Sequence, residues 1–198
     1  MTDGRIAAII LAAGASTRMG RNKMLLDVGG VPMVRAAAMS AIAAGLDPVI
    51  IVIGNDAGNV RSALHDLPCE FAVNPDFTGP TSTSLHAGLN ALASDVTAVI
   101  VLLADMVRTS TAMLHALVQS NASGHAPLGV SRYGDVLAPP LLFRRVLWPE
   151  LLAWHGEGCG KAVVRAHQAE ATMHDWPIEA LEDVDTPEDY ARATTPLG

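Results

Sequence analysis

The chain has 198 residues and a formal net charge of -7, with 50% hydrophobic and 17% charged residues. This length suits one α/β domain with a sizeable core, and the composition excludes an intrinsically disordered chain. The acidic balance argues against a nucleic-acid partner, which usually meets a basic face.

The sequence also lacks the patterns of export and membrane insertion. Its first ten residues, MTDGRIAAII, contain an acidic residue and too few apolar residues for a signal peptide. No apolar run approaches the roughly 18 residues of a membrane span. Cys69 and Cys159 stand outside any CxxC spacing, and unpaired thiols are typical of a reducing compartment. We therefore expect a cytoplasmic protein without a membrane partner.

Apolar runs that alternate with helical patterns predict the fold. Short continuous apolar runs predict buried strands over residues 6–11, 49–53, 70–73, 98–103 and 171–175. Helical periodicity predicts helices over residues 31–44, 56–67, 84–92, 109–119, 148–153, 160–169 and 187–193. This alternation is typical of βαβ units, so we predict one α/β domain, residues 1–198, with a doubly wound, mostly parallel sheet. The proline- and glycine-rich residues 124–145 predict a small strand-rich projection from that sheet.

The first predicted strand runs directly into a loop suited to an anion, LAAGASTRMGRNK over residues 11–23. The small residues after the strand let the backbone approach a ligand and turn its N–H groups toward one point. Arg18, Arg21 and Lys23 follow closely, although the chain has only thirteen basic residues. The glycine spacing fits neither the P-loop nor the dinucleotide GxGxxG. A polyphosphate is the predicted ligand.

This loop resembles the signature of the MobA-like nucleotidyltransferases, LAAGxSxRMGxxK, at every fixed position. The resemblance covers nearly the whole chain and implies a Rossmann-like nucleotidyltransferase fold with Mg²⁺-dependent transfer of a nucleoside monophosphate. It assigns Arg18 and Lys23 to the nucleoside triphosphate as catalytic residues. It also implies that the first loop residues cradle the nucleotide: Leu11, Ala12, Ala13 and Gly14. Within the family LAAG accompanies CTP use and LAGG accompanies GTP use, so Ala13 implies CTP.

Two aspartates are candidate metal ligands. Asp105 follows the predicted strand at residues 98–103, at the end where open α/β sheets place their ligands. The resemblance gives this aspartate to Mg²⁺ and thereby to catalysis. Asp185 precedes TPED, where similar proteins carry an acidic or amide residue. The alternative is a helix N-cap or a solvated turn at Asp105, and a structural helix cap alone at Asp185. We expect both carboxylates to approach one Mg²⁺, with oxygens roughly 4 to 6 Å apart.

A third segment, from Asn74 to Ser84, resembles the family's NPxxxxGxxxS segment, which lies against the nucleotide. The resemblance makes Asn74, Ser82 and Ser84 candidates for contacts with sugar or base groups. Ser84 also has the chemistry of a helix N-cap. The alternative is an ordinary loop between a strand and a helix.

The acceptor is implied by similarity to family members that transfer cytidylate to molybdopterin. That similarity implies molybdopterin as the phosphate-bearing acceptor, and a molybdoenzyme or its maturation factor as a protein partner. The chain departs from the family pattern at Ala104, Val107 and Lys161, and no GHP histidine stands before Pro139. Two alternatives therefore stay open: a sugar- or polyol-phosphate acceptor, and a non-catalytic nucleotide binder that delivers a cofactor.

Overall fold

The computed structural model describes residues 4–14, 16, 19–124, 126–158 and 160–194. Within these residues the strands form one seven-stranded sheet and a short two-stranded ribbon. The sheet contains β1 (Arg5–Leu11), β4 (Val49–Ile53), β5 (Cys69–Val73), β6 (Val96–Leu103), β7 (Leu128–Tyr133), β8 (Val136–Arg144) and β9 (Thr172–Trp176), and the ribbon contains β2 (Asp27–Val28) and β3 (Val31–Pro32). The helices are α1 (Met33–Ala43), α2 (Ala57–Ala63), α3 (Thr81–Asn90), α4 (Thr111–Ser123), α5 (Trp148–Ala153), α6 (Lys161–Ala166) and α7 (Pro187–Thr194).

The sheet has the order β5-β4-β1-β6-β8-β7-β9. Strands β5, β4, β1 and β6 are parallel, β8 is antiparallel to both of its neighbours, and β9 is parallel to β7. Helices cover both faces, since residues of α3, α5 and α6 pack in one apolar layer and residues of α1, α2 and α4 pack in the other. The prediction of a doubly wound, mostly parallel α/β fold is confirmed.

Residues 124–145 are strand-rich as predicted, but the predicted projection is wrong, because β7 and β8 lie within the sheet. Phe143 of β8 pairs with Val99 of β6 on one side and with Leu128 of β7 on the other. The register between β7 and β8 shifts so that Pro139 and Pro140 are skipped. A strand can contain proline at such an irregularity because no ladder N–H is required there.

Helix boundaries agree with the predictions at α5 and, within one residue, at α7, but they differ by three residues at the start of α3 and by four at the ends of α2 and α4. Helix α3 begins at Thr81, so Ser84 lies inside its first turn and does not cap it. Ser110 caps α4 by accepting a hydrogen bond from the Met113 amide at 3.3 Å. Thr186 caps α7 and accepts from the Asp189 amide at 3.2 Å. In the described part of the chain, no helix combines the length and apolar character that a membrane crossing requires.

Candidate active site

The candidate site lies where the strand order reverses, between the carboxyl ends of β1 and β6. Leu11 pairs with Leu103 at the end of these strands, and the Ala104 amide donates to the Leu11 carbonyl at 3.2 Å. The loop at residues 11–23, which we call the glycine loop, leaves β1 here, and Asp105 follows β6. Open α/β sheets bind ligands at this kind of switch point because two loops diverge and leave a crevice.

Lys23 joins the two predicted metal ligands. Its ammonium lies 2.5 Å from an Asp105 oxygen and 2.6 Å from an Asp185 oxygen. The two oxygens are therefore at most about 5 Å apart, the sum of those distances. The sequence-based expectation that both carboxylates approach one point agrees with this geometry. The ammonium of the same chain stands at that point.

A short backbone pairing brings Asp185 to Asp105 across the chain. Met106 and Asp183 form an antiparallel bridge, and the Val184 amide donates to the Asp105 carbonyl at 3.1 Å. Val184 is fully buried and belongs to the same apolar cluster as Met33, the first residue of α1. Because Val184 points into this core, its extended neighbours on either side point away from the core and toward the crevice.

The charges of the site are coupled. Burial disfavours the Lys23 ammonium, but attraction and hydrogen bonds from Asp105 and Asp185 outweigh that penalty and raise the pKa of Lys23. Lys23 therefore stays charged with both partners in place, although it is only 8% exposed. The pKa of Asp183 is also raised. The main cause is partial burial of its carboxyl, and repulsion from Asp185 and Asp105 adds to it, although the residue as a whole is exposed.

A cleft of about 320 Å³ opens beside these charges. Its lining includes these predicted residues: Leu11, Ala13, Gly14, Lys23, Ser84, Asp105 and Asp185. Six further lining residues were not among the candidates: Met24, Phe77, Gly79, Thr81, Leu103 and Asp183. A signal for Asp183 was present, because residues two apart in an extended segment share a face and Asp185 was already a candidate. Arg18 lies outside the described residues.

Ala12, Asn74 and Ser82 belong to the surroundings of the cleft. Ala12 is buried and its amide donates to the Val52 carbonyl. The Asn74 side-chain amide donates to the hydroxyls of Thr83 and Ser84, both at 2.9 Å, and its oxygen accepts from the Asp76 amide at 3.0 Å. Asn74 is 2% exposed, so it orders this loop and Ser84 from behind.

Ser82 faces a different segment. Its hydroxyl accepts from the Gly156 amide at 3.0 Å, and its own amide donates to the Gly156 carbonyl at 3.0 Å. Beyond this contact lies a second cavity of about 370 Å³, which shares Thr81, Leu103 and Asp183 with the cleft. The rest of its lining is mainly apolar, with one cation: Met106, Val136, Ala138, Pro139, Gly158, Lys161 and Leu181. Two adjoining compartments therefore meet at the charged cluster.

No group of three or more His, Cys, Asp or Glu side chains is arranged to hold a metal ion in the ranges that the structure describes. The pair Asp105 and Asp185 still fits a hard divalent cation. Mg²⁺ commonly takes one or two carboxylates from the protein and its remaining ligands from water and substrate phosphates.

Residues 8–171 match the family described as MobA-like NTP transferase domain. The chain belongs to this family. As a MobA-like NTP transferase it is an enzyme of the nucleotidyltransferase type, which confirms the resemblance of its glycine loop. The matched residues include the loop after β1, Lys23 and Asp105, and they end before Asp183 and Asp185.

Among relatives of this MobA-like NTP transferase, Purine catabolism protein PucB of Bacillus subtilis (strain 168) is 26% identical over 200 residues, covering 96% of each chain. A probable molybdenum cofactor guanylyltransferase of Natronomonas pharaonis is 31% identical over 209 residues, covering 96% of this chain and 97% of that protein. The crystal structure of Rv0371c from Mycobacterium tuberculosis H37Rv superposes with a TM-score of 0.86 at 26% identity, covering 98% of this chain and 99% of that one. A structure of Rv0371c in complex with manganese superposes with a TM-score of 0.78 at 27% identity, with the same coverage.

Proposed function

We propose that this enzyme transfers a nucleoside monophosphate from CTP to a phosphate-bearing acceptor, molybdopterin, in a Mg²⁺-dependent reaction that releases pyrophosphate. One observation supports the proposal most directly. The Lys23 ammonium lies within 2.6 Å of both an Asp105 oxygen and an Asp185 oxygen, near the carboxyl end of β1. A cation and a pair of acids at one point are what a triphosphate and a divalent metal require together.

In the proposed reaction an acceptor phosphate oxygen attacks the α-phosphorus of CTP. A new P–O bond forms, the bond to the β-phosphate breaks, and pyrophosphate leaves with the electron pair. The backbone at Ala13 and Gly14 holds the phosphates through its N–H groups, and Lys23 and Arg18 neutralise their charge. These residues form no covalent bond with substrate, so positioning and charge neutralisation supply most of the rate.

Asp105 and Asp185 would hold the Mg²⁺. When bound, the ion supplies charge neutralisation and polarisation of the phosphate oxygens. The manganese complex of Rv0371c supports a divalent cation in this fold. For the carboxylates to take a metal, Lys23 must release at least one of them. Its long flexible side chain then reaches the triphosphate instead.

The proposed preference for CTP rests on Ala13, which lines the cleft and is 3% exposed. Its carbonyl accepts from the Asn55 amide at 3.3 Å, so the segment is tied to the loop after β4 and has little room to move. A methyl group at such a position narrows the space for a purine. Discrimination by one methyl group is modest, about 1 to 3 kcal/mol.

The proposed acceptor rests on the second cavity. Its largely apolar wall fits a flat heterocycle better than a polyhydroxylated sugar, whose hydroxyl groups would lose hydrogen bonds there. Lys161 supplies one positive charge for an anionic group of the acceptor. This lining is the specific observation that favours molybdopterin over the sugar- and polyol-phosphate alternative.

A matrix of substrates tests the proposal. The enzyme is mixed with CTP, GTP or ATP and with molybdopterin, a sugar 1-phosphate or a polyol phosphate, and pyrophosphate release is measured in each pairing with Mg²⁺. We expect the highest kcat/KM with CTP and molybdopterin. Faster turnover of GTP would refute the base preference, and faster turnover of a sugar phosphate would refute the acceptor.

A further inference from the structure

Residues at the start of α3 hold the loop that walls the second cavity. Thr81 and Ser82 meet Gly156 and Glu157, and we refer to these four residues as the clasp. The Glu157 carboxylate accepts from the Thr81 amide at 3.1 Å and from the Thr81 hydroxyl at 2.5 Å. The two bonds between Ser82 and Gly156 run in opposite directions, both at 3.0 Å. The clasp therefore contains four hydrogen bonds between segments about 75 positions apart in sequence.

The other end of the same loop is fixed by packing. Gly160 is buried with φ +79, and a Cβ there would lie 2.7 Å from a Leu151 methyl group. Between the clasp and Gly160, the chain carries Gly158 to the wall of the second cavity, and Lys161 follows directly. With both ends held, the position of this wall depends on the clasp.

Helix geometry separates Ser82 from Ser84. Residues two apart on an α-helix point about 200° apart, so they cannot serve the same compartment. Ser84 lines the cleft beside Lys23, whereas Ser82 is 2% exposed and its hydroxyl is bonded to Gly156. The sequence-based assignment of both serines to the nucleotide does not fit this arrangement.

We infer that Ser82, with Glu157, is a positioning residue for acceptor recognition: the clasp sets the wall of the second cavity, where Gly158 and Lys161 lie, whereas Ser84 serves the nucleotide cleft. This inference rests on the proposed function for the identity of the second compartment. The α3 N-terminus carries Thr81 between the two cavities, so the clasp also fixes the partition between nucleotide and acceptor.

The test compares Ser82→Ala with Ser84→Ala. The two variants lose the same hydroxyl group, from nearly opposite faces of the same helix. Ser82→Ala leaves the half-buried Gly156 amide without its acceptor, and we expect the KM for molybdopterin to rise about tenfold, the scale of one lost hydrogen bond. The dissociation constant for CTP, from calorimetric titration, should change less than about twofold. Ser84→Ala should show the reverse, with weaker CTP binding and a smaller change in acceptor KM.

Glu157→Ala should raise the KM for the acceptor, as Ser82→Ala does. Glu157→Gln should keep this KM close to the native value, because the amide oxygen can accept from the same two donors, the amide and the hydroxyl of Thr81. Glu150→Ala removes a comparable carboxylate that pairs with His167, and should alter neither constant. Equal loss of CTP affinity in Ser82→Ala and Ser84→Ala would overturn the inference.

Hydrogen–deuterium exchange gives a readout that does not depend on the acceptor. Ser82→Ala should speed exchange in the peptide covering residues 154–166, and Ser84→Ala should leave that peptide as in the native protein. If no acceptor in the matrix is turned over, the proposed function fails. The exchange and CTP measurements then still decide whether the clasp positions the loop, and unchanged exchange in Ser82→Ala would overturn it.

Discussion

At the scale of single residues, the central feature is one ammonium shared by two carboxylates. The Lys23 side chain is 11% exposed, and the side chains of Asp105 and Asp185 are 16% and 31% exposed. Without Lys23, two acids would face each other in a partly desolvated crevice, where like charges repel strongly. A positive charge at this point is therefore part of the stability of the protein as well as of its proposed chemistry.

Replacement of Lys23 tests this dual role. Lys23→Ala should lower the free energy of unfolding by about 1 to 3 kcal/mol without metal, because two charge-assisted hydrogen bonds are lost and two acids remain. Added Mn²⁺ should then raise the melting temperature of the variant more than that of the native enzyme. CTP affinity should fall in calorimetric titration. Arg165→Ala, which removes an exposed cation elsewhere, is the control; equal stabilisation of all three proteins by Mn²⁺ would contradict the prediction.

The two aspartates should differ in their sensitivity to amidation. Asp105→Asn should abolish turnover, while Asp185→Asn should weaken it less, because an amide oxygen can still coordinate a metal and Asp185 is the more exposed of the two. Mn²⁺ affinity, measured by electron paramagnetic resonance, should fall in both variants. Normal kcat in Asp105→Asn would rule out its role.

At the scale of elements, the loop between β5 and α3 is held from within by Asn74. Its side chain joins the Asp76 amide, the Thr83 hydroxyl and the Ser84 hydroxyl, and so ties the loop to the first turn of the helix. The resemblance predicted a contact with the nucleotide at Asn74. That contact stays a prediction; in the structure the Asn74 side-chain amide donates to the hydroxyl of Ser84, which lines the cleft.

Asn74→Ala should therefore act on stability first. The Asp76 amide loses its acceptor and the Thr83 and Ser84 hydroxyls lose a donor, so we expect a loss of about 1 to 3 kcal/mol in the free energy of unfolding by urea, with weaker CTP binding as a consequence. Asn90→Ala, at the exposed end of the same helix, should stay within about 0.5 kcal/mol. A stable Asn74→Ala variant with lost CTP binding would instead indicate direct contact with the nucleotide.

What could be predicted from the sequence was mostly local. The glycine loop follows β1 and Asp105 follows β6 because strand ends and turn residues are encoded within a few positions. The pairing of Lys23 with Asp185 spans 162 positions, and it depends on long-range contacts such as the Met106–Asp183 bridge and the hydrogen bond from the Val184 amide to the Asp105 carbonyl. The direction of Ser82 depends on the phase of α3, and that helix begins three residues before the predicted start. Likewise, Pro139 and Pro140 in β8 favour a loop prediction, and only the register between β8 and β7 shows that a strand accommodates them.

At the scale of the whole molecule, the sheet and its two apolar layers tie the chain together. One apolar layer contains residues from Ala72 of β5 to Val130 of β7. Strand β7, on the far side of β8, therefore shares a core with β1 and β6, whose carboxyl ends form the candidate site. We propose that residues 1–198 form one cooperative domain, as the sequence predicts. The prolines of β8 are accommodated by side chains of β7, since Tyr133 donates to the Pro139 carbonyl and Ser131 donates to the Pro140 carbonyl, both at 2.8 Å.

This buried tyrosine predicts how the whole protein responds to alkaline pH. Tyr133 is 0% exposed, and burial raises its pKa from 10.0 to about 12. Between those values the unfolded chain releases the phenolic proton while the folded chain keeps it, so the folded state loses stability as pH rises above 10. The loss amounts to about 1.4 kcal/mol per pH unit. We expect urea unfolding to show this decline in the native enzyme.

Tyr133→Phe should be less stable at neutral pH, because the Pro139 carbonyl loses its donor, but its stability should decline less steeply above pH 10. Parallel declines in the two proteins would show that Tyr133 does not keep its proton in the folded state.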